Sequence, residues 1–127
     1  MIFGIGTDIV EYARFERMLS NYGDRLPGRM LSEQELPEFH KQPNPARFLA
    51  KRFAAKEAFA KAVGSGLRDP VSLRRISVTH DKLGKPALHF DETLRSHLAQ
   101  LGINAHHLSI SDERELAVAF VVLERNP

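Results

Sequence analysis

The stretch Phe48-Leu-Ala-Lys-Arg-Phe-Ala-Ala-Lys-Glu-Ala-Phe-Ala-Lys-Ala62 constrains the fold more than any other part of the chain. It predicts a helix over residues 46–63 of about 18 residues, roughly 27 Å long at ~1.5 Å per residue. Alanine and phenylalanine put apolar groups on nearly every side, so the helix belongs inside a small protein. One acid, Glu57, stands among five cations, Arg47, Lys51, Arg52, Lys56 and Lys61. Phe53 and Ala54 lie a turn before it, which places its carboxylate on a partly buried surface. A buried carboxylate is costly unless it is paired or bound to metal, so Glu57 needs a partner.

A second acid closes the opening segment Gly4-Ile-Gly-Thr-Asp-Ile-Val10, which reads as a short buried strand ending at Asp8. Its two glycines allow another backbone or a ligand to approach closely. Taken alone, Asp8 suits a cap for the next helix, and Glu57 suits an i,i+4 pair with Lys61. The alternative is a shared divalent cation. Magnesium prefers one or two carboxylates completed by waters and substrate phosphates, so two separated acids suffice if the fold brings them together.

The remaining elements follow in one series. A strand over 2–9 leads to a helix over 11–22, with Tyr12, Phe15, Leu19 and Tyr22 at helical spacing. Ser32-Glu-Gln-Glu35 has the capping-box pattern of a short helix, limited by Pro37. Gln42-Pro-Asn-Pro45 is a loop before the long helix, and Gly64 a natural stop after it. Strands over 74–80 and 87–90 flank a turn at 81–86. Asp91 caps a helix with Leu94, Leu98 and Leu101 on its apolar side. Strands 106–111 and 115–124 form a closing hairpin, the last of them apolar on both faces and so doubly buried or part of an oligomer contact. The order predicts an α+β fold, a largely antiparallel sheet wrapped around a long central helix, in one domain spanning 1–127.

At 127 residues and 43% hydrophobic, the chain suits one compact core. No apolar run approaches the ~20 residues of a membrane helix, and the start lacks the pattern of a signal peptide. Without cysteine there is no disulfide, thiolate metal site or thiol nucleophile, and a cytoplasmic location is consistent with this. A net charge of +2 suits anionic small molecules or an acidic protein partner better than nucleic acid, and no membrane partner is expected.

Arg52, Lys56 and Lys61 would ordinarily form a solvated helix face. Beside a metal-binding acid they could instead hold a diphosphate and neutralise a leaving group. Gly64-Ser65-Gly66 and Gly84-Lys85-Pro86 read as a helix cap and a hairpin turn, and the first is no P-loop, since it follows a helix. The six histidines show no metal-ligand spacing. Arg14, Met18, Arg25 and Arg29 combine charge and adaptable packing as a docking surface would, although Glu11, Glu16 and Asp24 dilute the charge.

Together these segments resemble the holo-[acyl-carrier-protein] synthase family, the small type of 4'-phosphopantetheinyl transferase. The matching motifs are Gly4-x-Gly-x-Asp-Ile, Arg52-Phe-Ala-Ala-Lys-Glu-Ala-x-x-Lys61, Gly64-Ser-Gly66, Gly84-Lys-Pro86, and His107-Leu-Ser-Ile-Ser111 with Ala117-Val-Ala-Phe. They run from end to end in the family's order. The resemblance implies transfer of the 4'-phosphopantetheine arm of coenzyme A to a serine of apo acyl carrier protein, releasing adenosine 3',5'-bisphosphate for fatty acid biosynthesis. It implies Mg²⁺ on Asp8 and Glu57, with Lys61 as a catalytic cation near the pyrophosphate and Arg52 as a phosphate contact. Both glycine turns and His107 would line the nucleotide pocket, with Lys85 on a phosphate. Arg14, Met18, Arg25 and Arg29 would dock the acidic carrier helix. Asp112 stands where many relatives have histidine. Family members of this size form trimers with sites between subunits.

The serine proton has two acceptors in this reading, a metal-bound water or Glu57. A Mg²⁺-dependent nucleotide diphosphate hydrolase would use the same acids and cations and turn over coenzyme A without a carrier protein. A non-catalytic binding module would explain the arginines, bind without metal, and leave Glu57 unexplained.

Overall fold

The long helix is where the sequence puts it, and the chain is organised by what can lie against it. The structure, a computed structural model, describes residues 1–127. Strand β1 (Ile2–Glu11) runs into α1 (Tyr12–Tyr22), followed by α2 (Arg25–Met30), α3 (Leu36–Phe39) and the long α4 (Pro45–Val63). A 3-10 turn, Leu73–Arg75, leads to the hairpin β2 (Ile76–His80) and β3 (Pro86–Phe90). Helix α5 (Glu92–Gln100), β4 (Ala105–Asp112) and β5 (Leu116–Glu124) complete the chain.

Helix α4 starts on a built cap. Asn44 Oδ1 accepts from Arg47 N at 3.2 Å and Pro45 takes the first helical position, where no amide proton is needed. It ends at Gly64, whose φ of +97° favours glycine. Ala50, Ala54, Ala58 and Ala62 recur every fourth residue and are all buried.

That alanine face receives β1. Gly4, Gly6, Asp8 and Val10 point toward α4, and the glycines are there because nothing larger fits. A Cβ on Gly6 would overlap the carbonyl oxygen of Ala58 and lie 2.7 Å from Ala62 N, and one on Gly4 would overlap Ala62 O. Of the two uses the sequence allowed for these glycines, the structure takes backbone contact.

All strand pairs are antiparallel and form two sheets, ordered β1-β5-β4 and β2-β3. The last strand is central in the first sheet, but it is not buried on both faces. Ala117, Ala119, Val121 and Leu123 are buried on the helix side, whereas Phe120 on the other side is 43% exposed. Ile5 and Ile9 of β1, in register with Val122 and Val118, extend this outer apolar face and are also exposed.

Helix α2 lies in a segment to which the sequence reading assigns no element, and Tyr22, placed on the apolar side of α1, is exposed. The 3-10 turn takes up the first residues of the strand expected from 74. Ser32-x-x-Glu35 makes only half of a capping box. Glu35 Oε1 accepts from Ser32 N at 3.0 Å, while the Ser32 hydroxyl pairs instead with Ser77 Oγ at 2.6 Å.

Candidate functional site

The pairing of β1 glycines with α4 alanines sets the level of the next inward residue. Gly4 meets Ala62 and Gly6 meets Ala58, so Asp8, two residues further along the antiparallel path, arrives beside Glu57 and Lys61. Lys61 Nζ donates to Asp8 Oδ1 at 3.1 Å and to Thr7 O at 3.0 Å. The i,i+4 pair between Glu57 and Lys61 therefore does not form; the lysine goes to the strand acid. Burial, and next the charge of Asp8, push the Glu57 carboxyl above its ordinary range, against the opposing pull of Lys61 and Arg14.

Asp8 thus lies near enough for its charge to act on Glu57, with Lys61 held on Asp8. Asp8 Oδ2 is buried and has no hydrogen-bond partner. An orphaned carboxylate oxygen next to a carboxyl of raised pKa is an arrangement that a cation would relieve. No group of three or more potential metal ligands occurs. The donor set matches a hard ion that takes its other ligands from water and substrate phosphate, and fits Mg²⁺.

Arg52 and Lys56 occupy a different side of α4 and are engaged internally, so they form no solvated face, and of the two only Arg52 reaches a cavity. Lys56 is fully buried, its amine donating to Glu35 Oε1 at 2.6 Å, Met30 O at 2.8 Å and Leu73 O at 3.0 Å. Burial pulls its pKa down to about 8, against the pull of Glu35. Arg52 Nη1 donates to Glu35 Oε2 at 2.9 Å and Val78 O at 2.6 Å, and Nη2 to Glu38 Oε2 at 2.8 Å. Glu35, 1% exposed, also accepts from Val78 N at 2.9 Å. Burial works to raise its pKa, but Lys56 and these donors more than offset it and hold the carboxyl below its usual range. Glu35 is the acid the sequence reading missed. Its signal was available: two cations one turn apart on a helix with so little polar surface require a buried counterion.

Arg52 lines a cavity of about 390 Å³ together with Glu38, His80, Gly84, Pro86 and Asp112. Gly84, at φ +89°, turns the β2–β3 hairpin toward it, and Asp81 Oδ1 fixes that turn by accepting from Leu83 N at 2.9 Å and Lys85 N at 2.8 Å. Lys85 is exposed and does not line the cavity. Gly64-Ser65-Gly66 lies at the far end of α4, so within one chain the two glycine turns do not share a pocket. His107 does not line this cavity either. It is exposed on β4, its Nε2 2.7 Å from Glu124 Oε2. Its neighbour His106 is the enclosed one, accepting from Leu88 N at 3.1 Å and so joining the two sheets.

Asp112 forms a second cluster that the sequence left unassigned. It pairs with Arg47 at 3.2 Å and Lys51 at 3.0 Å and accepts from the Tyr12 hydroxyl. The Tyr12 bond, ahead of the two cations, lowers the Asp112 pKa, and burial with that bond raises the pKa of Tyr12.

On α1 and α2, Arg14, Arg25 and Arg29 are exposed and none belongs to an ion pair, while Met18 is partly buried beside them. The Arg14 guanidinium lies 5.6 and 5.5 Å from the Phe15 and Phe53 rings. The surface and the acid pair are neighbours, because Arg14 also acts on Glu57.

Known proteins share the sequence pattern and the fold of this chain. The profile of the 4'-phosphopantetheinyl transferase superfamily matches residues 4–121. The chain is 58% identical over 125 residues to the holo-[acyl-carrier-protein] synthase of Nitrosospira multiformis, covering 98% of this chain and all of that one. The crystal structure of the holo-[acyl-carrier-protein] synthase of Neisseria meningitidis superposes with a TM-score of 0.95 at 50% identity, covering 98% and 99% of the two chains. The Bacillus anthracis holo-(acyl-carrier-protein) synthase in complex with CoA (3',5'-ADP) does so with a TM-score of 0.83 at 41% identity, covering 99% of each.

Proposed function

Since this chain belongs to the 4'-phosphopantetheinyl transferase superfamily, we infer that it transfers the 4'-phosphopantetheine arm of coenzyme A to a serine of apo acyl carrier protein, as a single domain over 1–127. The observation that carries the siting of the chemistry is the pair Asp8 and Glu57, with one buried carboxylate oxygen unpartnered. Mg²⁺ on these two acids would draw charge from the pyrophosphate and make the β-phosphorus more electrophilic.

The chain's own residues supply the rest. Asp8 is held by Lys61, whereas Glu57 has no ion-pair partner. Glu57, or a water beside it, can therefore take the proton of the carrier serine. The serine oxygen bonds to the β-phosphorus, the bond to the 5'-phosphate of the nucleotide breaks, and adenosine 3',5'-bisphosphate leaves. Lys61 offsets the charge that develops on it. Arg52, Gly84 and Pro86 take the nucleotide end, with His107 and Lys85 outside this chain's own cavity.

In this reading the assembly is a trimer in the cytoplasm, serving fatty acid biosynthesis. Two features support a site shared between subunits. The acid pair and the Gly84–Pro86 cavity lie apart along α4, and the outer sheet face is apolar. No helix is long and apolar enough to cross a membrane. Mass spectrometry of apo acyl carrier protein incubated with coenzyme A, Mg²⁺ and this protein tests the activity. The carrier should gain the phosphopantetheine mass only when all three are present, and loss of coenzyme A without carrier modification points to a hydrolase instead.

Carrier docking is assigned to the unpaired arginines with Met18. Arg29→Glu is expected to slow carrier association about tenfold at low salt, with coenzyme A binding unchanged and the deficit shrinking as salt rises. Arg14→Glu should do the same and also disturb Glu57. Stopped-flow association that is unchanged in both variants moves the docking site elsewhere.

Assembly is assigned to the outer sheet face. Phe120→Asp touches no buried contact on the α4 side, so it is expected to leave a folded chain near 14.3 kDa that has lost most of its activity. Sedimentation of an active native monomer at working concentration contradicts the assignment.

A further inference from the structure

The cavity that holds Gly84 and Pro86 also contains an acid for which the reaction has no use. Glu38, on the short helix α3, places Oε2 2.8 Å from Arg52 Nη2. Its side chain is 52% exposed and that of Arg52 6%. The other amine of the same guanidinium is fixed on Glu35 and Val78 O. These two contacts differ in kind. Glu35 is buried and takes donors from Ser32, Val78, Arg52 and Lys56, so it cannot leave without stranding charges in the core. The carboxylate of Glu38 has the Arg52 contact alone and is half in water.

The other acid of the cavity, Asp112, is held more firmly than Glu38. Lys51 pairs with Asp112, and that carboxylate is shared with Arg47 and Tyr12. Among the acids of the cavity, Glu38 is thus the one that can move at small cost. A carboxylate and a phosphate compete for the same planar fork of an arginine.

We propose that Glu38 sets the affinity of this cavity: its carboxylate occupies the outward amine of Arg52 in the free enzyme and is displaced by the anionic nucleotide end of coenzyme A. This rests on the reading that puts that end against Arg52, Gly84 and Pro86. Binding then includes the loss of the Glu38–Arg52 pair and repulsion of the displaced carboxylate. Removing the charge of Glu38 tightens binding, the reverse of what loss of a ligand contact does. Glu38→Gln keeps the helix and the inner Glu35 contact intact.

The test measures adenosine 3',5'-bisphosphate and neutral adenosine against the native protein and Glu38→Gln, by calorimetry and by NMR of the Gly84 amide and the Arg52 Nε–H. The variant is expected to bind the bisphosphate about three- to fivefold more tightly at low salt, the size of one partly exposed ion pair. The gain should shrink at roughly 0.5 M salt, where the Debye length is about 4 Å, and be absent for adenosine. Gly84 and Arg52 resonances that move with the bisphosphate, combined with equal or weaker binding by the variant, overturn the inference alone and make Glu38 an orienting residue. Resonances that stay in place in both proteins overturn the placement of the nucleotide, and the inference with it.

Discussion

Glu57→Gln is expected to reduce transferase turnover by at least about a hundredfold while leaving the protein as stable as before, or more so. Under the proposed mechanism the variant lacks a metal-holding carboxylate and a proton acceptor together, each of which contributes several kcal/mol to a phosphoryl transfer, and about 1.4 kcal/mol is tenfold in rate. The stability result follows from sign. The Glu57 carboxyl titrates above its ordinary range in the folded chain. Its contribution to stability is therefore fully present below the unfolded pKa and is lost as pH rises through the folded one. At pH 7 and above the ionised group is a cost, which the amide removes. Calorimetry at pH 7.5 should show a Tm unchanged or raised by roughly 1–3 °C, given that the carboxyl is partly solvated. The difference should vanish near pH 4. Mg²⁺ should raise the Tm of the native protein and not that of the variant. A variant that is destabilised at pH 7.5, or that responds to Mg²⁺ like the native protein, removes Glu57 from the site.

Gly6→Ala is expected to be the most damaging single methyl that can be added to this chain. Its Cβ would run into the backbone of α4 at Ala58 and Ala62, which cannot give way as a side-chain end can. Forced overpacking of this kind costs about 3 kcal/mol or more, and a Tm lower by roughly 10 °C. The methyl also acts as a spacer. Lifting β1 from α4 separates Asp8 from Glu57 and Lys61, so the fraction that folds should lose activity beyond its loss of stability. Activity per folded molecule, with the folded fraction measured by near-UV circular dichroism, checks this. A variant with near-native Tm and turnover would mean that the strand does not lie where the structure has it.

Much of this was legible in the chain because the signals were local. The alanine and phenylalanine pattern located α4 to within one residue, and Gly64 and Asp91 mark helix ends through their own backbone chemistry. The likeness of the motif run to one family supplied the pairing of Asp8 with Glu57. Neither residue points to the other across 49 positions of sequence. What was hidden was long-range. Lys61 reads as the partner of Glu57 at i,i+4 because that is the local option, yet the strand brings Asp8 to it instead. Arg52 and Lys56 read as surface cations because Glu35, which neutralises both, lies 17 and 21 residues away behind a loop. His107 was singled out by motif position and lies exposed on β4, while its neighbour His106 is the enclosed one. The two faces of β5 cannot be told apart by hydropathy, because both are apolar, and only the helix decides which is inner.

The sheet order places β1 at an edge, with β5 as its one neighbouring strand. Strand β1, which precedes the other four in the chain, therefore has no partner until β5 has emerged. A nascent chain lacking residues 116–124 can form α4 and the β2–β3 hairpin, but Asp8 would hang on an unpaired ribbon. The pairing of Asp8 with Glu57 is consequently a late event in the life of each molecule, closed only when β1 and β5 find one another. A ribosome-bound chain stalled before β5 should contain most of the core and none of the activity.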